Sequence, residues 1–156
     1  MAVGKTITCY TDGSCDNKTG IGGFGVVLRA GQHKRDYYEG QYVETTSARM
    51  ELMAVIKAIE LCTKGWHIVI HTDNQYVQKS IEIGWLDNWI RKGILDDKAN
   101  PDLWRKFKEV YDEKGGKRYI KVKWVRGHNG NKFNELADEL ANKGRLMGVT
   151  IQDVRG

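Results

Sequence analysis

The sequence contains one proline, three cysteines and no long apolar run, and each scarcity removes a class of explanation. Cys9, Cys15 and Cys62 are odd in number, widely spaced and form no Cys-x-x-Cys pair, which suits a reducing compartment and argues against a zinc site. No stretch is long enough to span a bilayer, and the start, Met1 to Lys5, lacks the apolar segment of a signal peptide. A cytoplasmic location and no membrane partner are therefore expected. Internal repeats and low-complexity tracts are also missing. At 156 residues the chain is near the usual size of one domain and can bury a sizeable core unaided, so any bound metal is expected to serve chemistry rather than structure.

The charge is unevenly distributed. Residues 1–78 carry eight basic and eight acidic side chains, whereas 79–156 carry seventeen and twelve, so the net charge of +5 lies wholly in the second half. That is the electrostatic footprint of a nucleic-acid binder, although a solvated basic face without a partner has the same signature.

Residues 5–11 are rich in β-branched and aromatic types and lead into Asp12-Gly13-Ser14, which reads as a strand entering a glycine-rich turn. Strands are expected over 24–28 and 37–43, making an antiparallel meander. Ser47 is placed to cap a helix running to about Thr63, a strand follows over 66–72, and short helical pieces from Asn74 break at Gly84 and Gly93. Pro101 suits the first position of a helix ending near Lys114; a strand over 118–125, a loop over 126–131 and a helix over 132–143 complete the order. This alternation predicts an α/β fold with a five-stranded mixed sheet, its first three strands antiparallel, and helices on both faces. The whole chain, 1–156, is expected to form one domain with its core over about 5–143, and the weakly patterned tail, 146–156, is expected to be flexible.

Four acidic residues stand where structure alone does not ask for them. On the helix from Ser47, the apolar Leu52, Val55, Ala58, Ile59 and Cys62 flank Glu51, while Lys57 and Glu60 lie on the opposite face. Glu51 therefore faces the sheet, at a desolvation cost unless a cation compensates. A capping box would need Ser or Thr three residues earlier, where Ala48 stands. Asp12 and Asp73 each follow a threonine at the carboxyl end of an apolar strand, the end at which ligands collect in sheets with helical crossovers. For Asp73 a turn-forming role is an equal alternative. Asp138, one turn after Asn134, lies at the margin of the last helix's apolar stripe. Carboxylates converging without basic partners repel one another, and divalent cations resolve the conflict. All-oxygen ligation selects Mg²⁺ or Mn²⁺, and a pair of such ions is the known device for displacement at a phosphodiester.

Tyr10-Thr-Asp-Gly-Ser-Cys15, Thr45-Thr-Ser-Ala-Arg-Met-Glu-Leu-Met53, Thr72-Asp-Asn-Gln-Tyr-Val77, Trp124-Val-Arg-Gly-His128 and Asn134-Glu-Leu-Ala-Asp138 resemble, in order and spacing, the motifs of ribonuclease H type 1. The resemblance covers about 5–143. It implies an endonuclease that cuts the RNA strand of RNA/DNA hybrids with two Mg²⁺ ions, Mn²⁺ being a substitute, and leaves 5′-phosphate and 3′-hydroxyl ends. Asp12 would bridge the ions, Asp138 would complete the site of the one that activates water, and Glu51 and Asp73 would hold the second. His128 matches the family histidine that assists proton transfer or product departure; His33, His67 and His71 read as incidental surface residues. Thr46 matches a residue gripping a DNA phosphate, and Cys15 and Gln75 match residues lining the hybrid's minor groove, with Asn17 and Asn134 as further substrate contacts. Trp85, Trp89, Arg91 and Lys92 resemble a basic protrusion that packs on the DNA strand, although the two tryptophans are equally consistent with plain core. Ser47 and Ala48 depart from the family, replacing two amide side chains, and Asp16-Asn-Lys-Thr19 replaces a proline-bearing turn. The protein is expected to be a monomer.

Two other readings compete. One keeps the fold but changes the substrate, as in integrases, transposases and junction resolvases; Glu51, the His128 loop and the tryptophan-bearing protrusion disfavour it. The other is a non-catalytic module that binds hybrids or structured RNA through the basic second half; the complete set of four carboxylates disfavours it.

Overall fold

The computed structural model of the chain describes residues 5–127 and 130–155. Three strands, β1 (Thr6–Asp16), β2 (Ile21–Ala30) and β3 (His33–Val43), lead into α1 (Ser47–Leu61) and β4 (His67–Thr72). Three helices follow, α2 (Gln75–Glu82), α3 (Trp85–Arg91) and α4 (Pro101–Glu113), then β5 (Ile120–Trp124), α5 (Lys132–Met147) and β6 (Ile151–Gln152). The strands form one sheet in the order β5-β4-β1-β2-β3-β6. The pairs β1–β2 and β2–β3 are antiparallel, whereas β1–β4, β4–β5 and β3–β6 are parallel.

The sheet has six strands rather than the expected five. The extra one, β6, spans two residues, too few to produce any periodic signal, and it lies in the segment after Arg145 that shows no pattern. That segment first prolongs α5 to Met147 and then adds β6 beside β3.

The two sheet faces are covered by different helices for reasons visible in side-chain size. On one face Cys9, Phe24, Val26, Ile68 and Ile70 pack with the buried side of α1, and α4 closes that layer with Trp104, Phe107 and Val110. On the other face α5 lies almost on the backbone of β2. A Cβ at Gly23 would sit 2.3 Å from Arg145 N and one at Gly25 would sit 2.6 Å from Ala137 O, so only glycine permits the approach. Ala137 and Ala141, both fully buried, form the facing side of the helix.

Two local expectations are corrected. Gly13 is not in a turn: β1 continues through it to Asp16, pairing Gly13 with Phe24. Its missing side chain serves contact, because a Cβ there would lie 2.5 Å from Glu51 N and 2.6 Å from Met50 C. The cap of α1 is Thr46, not Ser47; Thr46 is extended, and its hydroxyl accepts from Arg49 N at 3.2 Å. Both residues are of cap-forming type, and the chain turns helical one residue earlier than the motif suggests. Among the described residues no helix is long and apolar enough to cross a membrane.

Candidate metal centre and nucleic-acid interface

Thr11 and Thr72 are the last paired residues of the parallel β1–β4 ladder. Asp12 and Asp73 each stand one residue beyond, so the register alone places them side by side; Asp73 follows the end of β4, whereas Asp12, expected to end its strand, lies within β1, which runs on to Asp16 in its pairing with β2. Glu51 arrives from the first turns of α1, which the bare Gly13 lets settle onto β1. One oxygen from each of Asp12, Glu51 and Asp73 lies within 4.8 Å of the others. Asp138 comes from α5 on the opposite face, next to the buried Ala137, and contributes to the raised pKa of Asp12. Of the four acidic residues expected to converge, Asp12, Glu51 and Asp73 are brought together from β1, α1 and the end of β4, and Asp138 on α5 stands outside that group of three.

The site is electrostatically uncomfortable as it stands. Among the described residues no lysine or arginine forms an ion pair with Asp12 or Glu51, which are 5% and 9% exposed. Burial, and then the charges of Asp73 and Asp138, push the Asp12 pKa up to about 8, against the opposing effect of hydrogen bonding with Glu51. Glu51 is raised well above the usual glutamate range, by burial first and then by the charges of Asp12 and Asp73. Its Oε2 is buried with no hydrogen-bond partner among the described residues, a cost that proteins rarely carry without a cation or ligand to meet it. The donors are all carboxylate oxygens and none is sulfur or imidazole, which fits a hard divalent ion. The helix-capping role considered for Asp73 falls instead to Asn74, which caps α2 and whose side chain accepts from Val77 N at 3.0 Å.

The remaining expected site residues divide by position. Thr46, Asn17 and Gln75 are exposed. Cys15 is half-buried, its thiol facing the carbonyls of Asp16 and Thr45 at 3.7 Å each, and burial raises its pKa. Asn134 is buried, and its Oδ1 has no partner among the described residues. The two tryptophans of α3 separate: Trp89 is 8% exposed and meets Trp104 edge-on at 6.2 Å, whereas Trp85 is 38% exposed. Arg91 and Lys92 are exposed beside it. His128 lies outside the described residues. His71 is not the incidental surface residue expected: it is half-buried, stacked on Tyr10 at 4.5 Å, and burial followed by the nearby charge of Lys123 lowers its pKa.

Sequence reasoning overlooked Gly13, which admits Glu51, and Arg49, which is 1% exposed and bonded to Asp102 and Asp153. For Gly13 a signal existed: a strand-like run on either side of an isolated glycine marks a close backbone approach as readily as a turn. For Arg49 none did, because at ~100° per residue it falls on the polar side of α1.

The RNase H family model matches residues 4–145. Relatives named Ribonuclease H include that of Hahella chejuensis, 42% identical over 144 residues covering 90% of this chain and 93% of the relative. That of Bordetella pertussis is 43% identical over 145 residues, covering 90% of each. Among solved structures, the chain is similar to the crystal structure of LC9-RNase H1, a type 1 RNase H with the type 2 active-site motif. The match has a TM-score of 0.75 and 27% identity and covers 90% of this chain and 72% of that one. A mixed sheet with an all-carboxylate cluster just past the end of a parallel strand pairing, in this company, defines a metal-dependent nuclease. The chain belongs to the ribonuclease H family, hydrolases that cleave the RNA strand of RNA/DNA hybrids.

Proposed function

We propose that Asp12, Glu51, Asp73 and Asp138 hold two Mg²⁺ ions with the hybrid bound, Mn²⁺ being able to replace them, and that cleavage leaves 5′-phosphate and 3′-hydroxyl ends. When bound, such a pair lowers the pKa of the attacking water and neutralises charge on the leaving oxygen. Asp12 would serve both ions; Asp138 would complete the first position, and Glu51 with Asp73 the second. The raised pKa of Asp12 means that it holds a proton at neutral pH until a cation displaces it. His128 would carry a proton at the departing product.

The chain's other residues bind and orient the duplex. The exposed Thr46 hydroxyl, at the N-terminus of the 15-residue α1, meets a phosphate of the DNA strand. Cys15, Asn17, Gln75 and Asn134 line the minor groove, where the 2′-hydroxyl distinguishes the RNA strand. Trp85, Arg91 and Lys92 track the DNA backbone, and Trp89 holds their helix to the core from within. The protein is read as a monomer of the reducing cytoplasm.

The observation that carries this reading is the convergence of three carboxylate oxygens within 4.8 Å of one another, with a buried Glu51 oxygen left without a partner. The test uses labelled RNA/DNA, RNA/RNA and DNA/DNA duplexes with Mg²⁺, with and without chelator. Loss of only the hybrid's RNA label, blocked by chelator, is expected. Cleavage that persists in chelator, or that consumes DNA/DNA equally, would reject the proposal.

A further inference from the structure

The last residues of the chain reach the start of the helix that supplies Glu51. Asp153 is 6% exposed, and its backbone N–H donates to Val43 O, just before α1. Its Oδ2 accepts from Arg49 Nε at 2.7 Å and from Thr45 Oγ1 at 2.7 Å, and its Oδ1 accepts from Arg49 Nη2 at 3.0 Å. The far side of the same guanidinium donates to both oxygens of Asp102, at 3.0 and 2.8 Å, and to Asn100 Oδ1 at 3.2 Å. Burial opposes the charge on Arg49, but these carboxylates outweigh it and raise its pKa, so the cation persists at any physiological pH. Arg155 continues the tie, donating to Glu44 O at 2.8 Å.

The arrangement grips α1 from two sides. Arg49 lies about 160° around the helix from Glu51. On the Glu51 side the helix backbone rests against Gly13, with no room for a side chain. On the Arg49 side it is held by the start of α4 and by the tail. Between these holds sits the exposed cap, Thr46, whose hydroxyl accepts from the backbone of Arg49 itself. Thr45, directly before the cap, is pinned by Asp153 through its side chain and by Gly20 O through its backbone N–H at 2.9 Å. The Thr46 hydroxyl and the free N–H groups of the first turn cannot move as a unit unless Asp153 releases Thr45 and Arg49.

We infer that Asp153 is a positioning residue for substrate binding: through Thr45 and Arg49 it sets the cap of α1, and with it the contact to the DNA strand. The inference rests on the nuclease reading above. An ordering device in the tail would be absent from any chain ending near Gly148, and neither Asp153 nor Thr45 need touch the hybrid.

The experiment compares the full-length protein with Asp153→Ala, Asp153→Asn and Thr45→Val. Ile120→Val, at the amino end of β5 and far along its strand from the acidic cluster, serves as a stability control. Hybrid affinity is measured by fluorescence anisotropy in chelator, and KM and kcat on labelled hybrid at saturating Mg²⁺. Asp153→Ala is expected to weaken hybrid affinity and raise KM in parallel, by about fivefold, with kcat within about twofold of wild type. Asp153→Asn and Thr45→Val, which each keep part of the network, are expected to shift in the same direction by less. Wild-type affinity and KM in Asp153→Ala, with only the melting temperature or kcat lowered as in Ile120→Val, would overturn the inference. Should Asp153→Ala not fold, wild-type KM in both milder variants would overturn it equally. Failure of the wild-type protein to cleave hybrid in the same assay would instead reject the nuclease reading, while anisotropy in chelator would still report on Asp153.

Discussion

Replacing Asp12 with asparagine should abolish cleavage and make the metal-free protein more stable, and the size of the gain follows from burial. The folded pKa of Asp12 stands at about 8, against about 3.9 for an unfolded chain. Between those values the folded state binds more protons than the unfolded state, so stability falls as pH rises across that window. At pH 7 the difference spans about three pKa units at ~1.36 kcal/mol each, or about 4 kcal/mol against folding. Asp12 is 5% exposed, so solvent screens little of it. The amide must still be desolvated, which leaves a net gain of about 2 kcal/mol for Asp12→Asn. In a chain of this size that is a rise of roughly 4–8 °C in melting temperature. Thermal and urea unfolding in chelator, from pH 4 to pH 8, measure it. At the acid end, where the desolvation cost stands nearly alone, the variant should be about 1–2 kcal/mol less stable than wild type; it should become the more stable protein between about pH 5 and 6, gain steadily to about pH 8, and lose that advantage when Mg²⁺ stabilises the wild-type protein. A gain of equal size at both ends of the range, or an asparagine variant less stable than wild type at pH 7.5, would refute the reasoning.

The same protons should appear in metal binding: between pH 6 and 8 Mg²⁺ affinity should rise with pH and proton release should fall, read by calorimetry in buffers of different ionisation enthalpy. Gly25→Ala would place a Cβ 2.6 Å from Ala137 O, so it should cost about 1–3 kcal/mol in urea unfolding and lower kcat by lifting the Asp138 helix off the sheet. Trp89→Ala should cost ~3–5 kcal/mol, whereas Trp85→Ala should stay within about 1 kcal/mol of wild type and chiefly weaken hybrid binding, as unfolding and anisotropy titrations will show. Arg91→Ala and Lys92→Ala should each lower the logarithmic salt slope of hybrid binding by about 0.9, the contribution of one phosphate on a B-form duplex.

The parts of the molecule that were legible in the sequence are those whose cause is local. Alternating β-branched residues mark β1 and β4, and a helical stripe interrupted by Glu51 marks both α1 and the direction in which that carboxylate points. The Asp12–Asp73 meeting was conditional on β1 and β4 being parallel neighbours, which their register supplies. What escaped depends on partners distant in the chain. Gly13 reads as a turn former because nothing nearby reveals that α1 will press against it. Arg49 sits on the polar side of its helix and is buried by α4 and the tail, elements that begin some fifty and one hundred residues later. The two-residue β6 pairs with β3 and leads directly into Asp153, whose three side-chain bonds to Arg49 and Thr45 and whose backbone bond to Val43 O tie the tail to partners about a hundred residues earlier. Trp85 and Trp89, on one short helix, differ in burial because Trp89 meets Trp104 of α4 and lies under Lys98, partners the local pattern does not reveal.

The decisive observation is anomalous diffraction at the manganese edge from crystals of the protein soaked in Mn²⁺. A peak is expected among the carboxylate oxygens of Asp12, Glu51 and Asp73, and it should vanish in Asp12→Asn. Well-ordered crystals with no peak in that position, or with manganese held only elsewhere on the surface, would contradict the metal centre on which the nuclease mechanism depends.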